Sequence, residues 1–357
     1  MRSSDGDSVI VRRDGPIGRI VLNRPKVLNA LTHTMVRRIA ETLDIWEHDE
    51  RVRLVLLTGA GERGLCAGGD IRDVHRDATA AGGEATRRFW RDEYRLNARI
   101  SSYPKPYVAV MDGIVMGGGI GLSAHGAVRI VTERTTAAMP ETTIGLVPDV
   151  GGTYLLSRAP GELGTHLALT AGFVGAGDAH LCGLADHFVP SADLDALIAE
   201  LAEDDLHQVL ARHVLPTPSA ELAEHQGWID ECYAAGTVEE VVFRLVHSGH
   251  PAAAKAAVQI KAKCPTAVKV TFAALRRARE LPSLEAVLDQ EYRVSCRALA
   301  TSDLVEGIRA QVIDKDRSPR WNPPTLQDVS DAAVSRFFAP LEDEELGLSV
   351  TTAPKRA

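Results

Sequence analysis

Three nearly continuous apolar runs, at residues 54–58, 107–111 and 128–131, constrain this 357-residue chain more than any other feature. A strand that lacks polar alternation is buried on both faces, the condition of a parallel sheet covered by helices. Between the first two runs, 86–100 has helical character until Ser101-Ser-Tyr-Pro-Lys-Pro stops it. Ahead of them lie short β-branched runs at 9–11 and 18–22, with Asp14-Gly15 between them as a hairpin signal. An amphipathic helix is expected over 35–46. Alternation of this kind predicts the α/β class. From about Asp193 the chain turns alanine-rich and helical. The expected organisation is a core over 1–200 that carries the active site, a mainly helical region over 201–340, and a frayed, disordered tail over 341–357.

Composition narrows the function. A hydrophobic content of 45% can fill a sizeable core, and a net charge of −8 argues against a dedicated nucleic-acid binder. Local basic runs such as Arg87-Arg88 leave room for a phosphate-bearing ligand, although a solvated helix face explains any single run more simply. The five cysteines are scattered without a CxxC pair, so neither a zinc ribbon nor a redox pair is suggested and no metal is expected. No stretch approaches the ~20 apolar residues of a membrane span, and the first residues lack a signal-peptide core. No membrane partner and a cytoplasmic location follow as expectations.

Two glycine turns follow strands. Gly117-Gly-Gly-Ile-Gly121 formally contains part of a dinucleotide fingerprint, but it comes after several strands and lacks the acidic residue of a second strand. A closer reading is that glycine lets a ligand approach the backbone, or lets helix and sheet pack tightly. Ala67-Gly68-Gly69-Asp70 follows another strand in the same way, and two such turns can pair their N–H donors as an oxyanion hole. Met139-Pro140-Glu141 and Pro148-Asp149 set two carboxylates among apolar residues. Burial raises a carboxyl pKa towards catalytic usefulness, while a capping role is the plainer alternative for Asp149. Ser123 and His125 do not complete a Gly-x-Ser-x-Gly elbow, and Cys66 has no histidine at a telling distance; Ser123 and Cys66 read as packing residues.

These segments together resemble the crotonase (enoyl-CoA hydratase/isomerase) superfamily. The resemblance is carried by Cys66-Ala-Gly-Gly-Asp-Ile71, Asp112-Gly-Ile-Val-Met-Gly-Gly-Gly-Ile-Gly121 and Met139-Pro-Glu through Val-Gly-Gly152. It is nearest to the branch that hydrolyses 3-hydroxyisobutyryl-CoA, which Glu291-Tyr-Arg-Val-Ser295 and Glu306-Gly-Ile-Arg-Ala also resemble. The resemblance runs from about residue 9 to 325 and implies a ββα spiral core with a helical C-terminal region.

It further implies an acyl-CoA substrate, with no cofactor because CoA arrives with the substrate, and a homo-oligomer, since the superfamily favours trimers and hexamers. Residue by residue, it implies oxyanion donors at the N–H groups of Ala67 and Gly118, and catalytic carboxylates at Glu141 and Asp149. Substrate contacts are implied at Glu93, in Arg91-Asp92-Glu93-Tyr94, and along Gly68, Gly69, Asp70, Gly117 and Gly118. One departure matters. Hydratases of the superfamily resemble GGGxE at the second glycine turn, and this chain has Gly121 there. Adding water across a double bond needs both a base and an acid, so the missing carboxylate favours thioester hydrolysis over hydration or isomerisation. A non-catalytic acyl-CoA binder is the alternative outside the enzymes, and the intact acids and glycine turns weigh against it.

Overall fold

The computed structural model describes residues 8–351. The chain alternates between two compact units. One comprises Met1–Gly69, Leu96–Ala138 and Phe173–Glu221, and the other Asp70–Arg95, Met139–Gly172 and Leu222–Ala357. The single boundary expected near residue 200 is therefore replaced by an interleaved division. The reason is long-range packing: helices Leu194–Glu200 and Leu206–His213 bury Leu197, Leu201, Val209 and Leu210 against the sheet residues Leu54, Leu56, Val108 and Ile130.

The first unit is built on two sheets. β1 (Val9–Asp14) and β2 (Ile17–Leu22) form the expected antiparallel hairpin. β3 (Leu54–Gly59), β5 (Tyr107–Met111), β7 (Val128–Val131) and β10 (His187–Phe188) extend it in parallel, giving the order β1-β2-β3-β5-β7-β10. The apolar runs become the fully buried strands, as their continuity requires. Helix α1 (His33–Glu47) is capped by Thr32, whose side chain accepts from the Met35 amide, and it seats the Trp46 ring over Gly18.

A smaller sheet, β4 (Gly64–Cys66), β6 (Ile114–Met116), β8 (Thr136–Ala138) and β9 (Phe173–Val174), was not expected. Its strands are two or three residues long, too short for a periodicity signal. β3, β5 and β7 each pass directly into β4, β6 and β8, so consecutive strands switch between sheets and the chain winds as a spiral. The switch needs glycine: a Cβ on Gly64 would lie 2.2 Å from the Ile114 amide, and one on Gly113 2.7 Å from the Arg63 carbonyl. β4, β6 and β8 are parallel neighbours, and the chain leaves them directly into Ala67, Gly117 and Met139-Pro140-Glu141.

The second unit is helical. It holds α2 (Ile71–Ala80), most of α3 (Glu84–Ser101) and the helices Pro265–Ala278, Leu284–Leu299 and Ser302–Ile308. Pro265–Ala278 is buried along most of its length, with Val270 and Ala274 packed against Val147, Val294 and Phe338. The expectation of a frayed tail over 341–357 does not hold for the described part. Asp289 accepts from the amides of Leu348 and Ser349, and Arg293 pairs with Glu345, so this segment is tied to helix Leu284–Leu299. Residues 352–357 lie outside the described residues.

Candidate active site

Glu141 opens a 3-10 turn, Glu141–Ile144, closed by Gly145 at a φ of 79°. The second unit grips this turn from several sides. The Cys264 amide donates to the Thr142 carbonyl at 3.1 Å, and Lys263 Nζ donates to the Thr143 hydroxyl at 3.0 Å. Helix Ser302–Ile308 approaches so closely that a Cβ on Gly307 would lie 2.4 Å from the Ile144 carbonyl oxygen. Gly307→Ala is therefore expected to push the turn aside, costing about 1–3 kcal/mol of stability and roughly tenfold in kcat, read by thermal unfolding and steady-state rates.

The Glu141 side chain is 6% exposed, and its Oε2 is buried with no hydrogen-bond partner. Glu93, on α3, is 2% exposed with Oε1 in the same condition. Asp149 is buried too, and its Oδ2 accepts the Tyr94 hydroxyl proton at 2.7 Å. Tyr94 Oη lies 2.9 Å from Ser295 Oγ. A fourth buried carboxylate, Glu291, accepts from the Gly151 amide at 2.6 Å and from both the amide and the hydroxyl of Thr153.

Among the described residues, no arginine or lysine bonds to any of these four acids. Burial, followed by the charge of Asp149, pushes Glu93 and Glu141 well above the ordinary carboxylate range. Burial lifts Asp149 to about 6, against the opposing hydrogen bond from Tyr94, and lifts Glu291 to about 8. Glu162 gives the contrast. It is also buried, yet Arg279, Thr165 and Arg276 outweigh the burial and hold it below its usual value, as in an ordinary structural acid.

In the first unit the two glycine turns meet: a Cβ on Gly68 would lie 3.5 Å from the Gly118 nitrogen and 3.2 Å from the Met116 carbonyl oxygen. Gly118 is the first residue of α4 (Gly118–Ser123), where an amide has no acceptor within its own helix. The Ala67 amide differs from what the resemblance implies. It donates to the Leu28 carbonyl at 3.0 Å and is already used in holding the turn. Gly69 is the neighbour in that turn whose amide has no acceptor among the described residues, since the Leu31–Gly69 bridge is closed by the Leu31 amide on the Gly68 carbonyl. Asp70 stands at the N-cap of α2. The packing readings hold for Cys66, whose buried thiol donates to the Asn29 carbonyl, and for Ser123, which donates to the Gly119 carbonyl.

Tyr94, Glu291 and Ser295 were not singled out as site residues by sequence reasoning. The available signal was the i, i+4 spacing of Glu291 and Ser295 beside Leu288 and Tyr292, which puts two polar groups on a buried helix face.

Comparison with known proteins places this spiral of paired strands and its cluster of uncompensated acids. The family model described as "Enoyl-CoA hydratase/isomerase" matches residues 17–338, and the chain belongs to that family. Over 351 residues it is 42% identical to the mitochondrial 3-hydroxyisobutyryl-CoA hydrolase of Gallus gallus, covering 95% of this chain and 91% of that one. Among solved structures, a carnitinyl-CoA dehydratase from Mycobacterium thermoresistibile is 53% identical, with a TM-score of 0.92 over 95% of this chain and 98% of that one. An enoyl-CoA hydratase from Rhodobacter sphaeroides 2.4.1 is 43% identical, with a TM-score of 0.90 over 95% and 99%. No helix among the described residues is long and apolar enough to cross a membrane.

Proposed function

We propose that this protein hydrolyses a short, branched β-hydroxyacyl-CoA thioester, 3-hydroxyisobutyryl-CoA, to 3-hydroxyisobutyrate and CoA, a step of valine breakdown. The observation that carries the reading is Glu141: a buried carboxyl with an unpartnered oxygen, in a cluster of acids whose pKa values burial raises. A structural acid would be paired, as Glu162 is.

In this reading the thioester oxygen is held by the amides of Gly118 and Gly69, Gly69 replacing Ala67 because the Ala67 donor is spent on Leu28. These donors stabilise the tetrahedral oxyanion. Glu141 either takes the proton of the attacking water or attacks the carbonyl itself to give an anhydride that water then opens. Single turnover in labelled water separates the routes, since only the second puts label into Glu141. Asp149 and Glu93 hold the substrate hydroxyl and orient Glu141, and the CoA thiolate leaves as product. None of these steps calls on a metal or redox cofactor. The free cysteines suit a reducing compartment, in the simplest case the cytoplasm, although the vertebrate relatives are named as mitochondrial.

Hydration is the second reading, because two similar structures are named as a hydratase and a dehydratase. Gly121 lies buried inside α4 without the second acid that chemistry uses. Thiol release from 3-hydroxyisobutyryl-CoA, measured beside hydration of crotonyl-CoA, decides between them: dominant hydration would overturn the proposal. The same assay across pH tests the electrostatics. Glu141 can act only when ionised, and its charge adds to that of Asp149, so kcat/KM is expected to show an acid limb that belongs to the coupled pair and lies above the ordinary carboxylate range.

A further inference from the structure

Helix Leu284–Leu299 reaches the acids with two side chains one turn apart, and each supports a different side of Asp149. A tyrosine hydroxyl has one proton to give. With the Tyr94 proton committed to Asp149 Oδ2, the 2.9 Å contact requires Ser295 Oγ to donate to Tyr94 Oη. The result is a directional chain, Ser295 to Tyr94 to Asp149, in which each donor polarises the next. On the other side, the backbone after Asp149 enters the left-handed region twice, at Val150 (φ 53°) and Gly151 (φ 81°). A β-branched residue there costs about 1–3 kcal/mol and persists only where its surroundings hold it. Glu291 supplies the hold, gathering the Gly151 amide and both donors of Thr153 on its two oxygens.

We propose that Ser295 and Glu291 are positioning residues for Asp149, Ser295 by orienting the Tyr94 hydroxyl and Glu291 by fixing the turn that follows. The inference rests on Asp149 being a working carboxylate, as proposed above. The groups facing Asp149 are Glu93 and Tyr94 of α3, Glu141 of the 3-10 turn, and Glu291 and Ser295 of this helix. All but Tyr94 and Ser295 are acids, so among these side chains the relay favours a charged Asp149 over a neutral one, beside a backbone hydrogen bond at Asp149 itself.

The test is the acid limb of the kcat/KM profile in the full-length protein. Tyr94→Phe is expected to move it to higher pH by about one unit and Ser295→Ala by about half a unit, with rates at alkaline pH kept within about threefold. Because Ser295 acts through Tyr94, the double variant is expected to match Tyr94→Phe alone. A merely structural role would lower the rate at every pH and leave the limb in place, and that result, or additive shifts, would overturn the relay. If Tyr94→Phe does not fold, Ser295→Ala, which removes one oxygen, decides alone. Glu291→Gln turns one acceptor into a donor facing the Gly151 or Thr153 amide. It is expected to lower kcat about tenfold with KM little changed, and an unaltered kcat would remove Glu291 from the proposal. Asp149→Asn separates the two levels: near-normal turnover sinks the reading of Asp149 itself, whereas loss of turnover with an unmoved limb in the relay variants sinks only the relay.

Discussion

Glu141→Gln is expected to reduce thioester hydrolysis by at least roughly 10³-fold while making the folded protein more stable. The first effect follows from the chemistry. The amide has neither the basicity to deprotonate water nor the nucleophilicity to attack the carbonyl, and it keeps the shape of the residue, so the lost rate belongs to the carboxylate. The second follows from burial. The Glu141 pKa in the fold lies well above its ordinary value, so the folded state binds the proton more tightly than the unfolded chain. Stability is then highest at low pH and is lost as pH rises from the unfolded value of about 4.5 towards the folded one. A glutamine is neutral throughout and escapes that loss. The variant's gain in unfolding temperature should be small near pH 4.5 and should grow towards pH 8, reaching about 1–3 kcal/mol. Near-normal hydrolysis by this variant would remove Glu141 from the mechanism, and a stability gain independent of pH would remove the electrostatic explanation.

What could be read in advance depended on how far each feature's cause extends along the chain. Leu54–Gly59 and Tyr107–Met111 were legible because burial on both faces forces a continuous apolar run. Strands β4, β6 and β8 were not, since three residues cannot show a period and their existence depends on the glycine corners at Gly64 and Gly113. Helix α2 was hidden because only Val74 along it is buried. Glu141 and Asp149 stood out as acids beside prolines in apolar surroundings, whereas Glu93 looked like any helix charge and entered only through resemblance. Glu291 was hidden for a related reason: in sequence, a buried acid on a helix is indistinguishable from a solvated one. The occupation of the Ala67 amide by Leu28 could not be read at all, because it joins residues far apart in the chain through backbone atoms common to every residue. In each case the missing information is tertiary.

The same backbone bookkeeping makes the oxyanion donors testable by substitution, which is unusual for a main-chain group. Gly118 is the first residue of α4, a position where proline is tolerated because its absent N–H has no partner in the helix. Gly117, at φ 49° and ψ −120°, lies outside the α region that a following proline disfavours. Gly118→Pro therefore removes one donor while asking little of the fold. If that donor serves the oxyanion, kcat should fall by about 10²–10³-fold, with KM and unfolding temperature changed far less. The loss should fall on kcat because the donor matters most once the carbonyl oxygen has become an anion. A fall in CoA affinity alone would instead assign the Gly118 amide to ground-state binding. Hydrolysis within about threefold of the parent would mean the negative charge is stabilised elsewhere, and the meeting of the two glycine turns would then be a matter of packing.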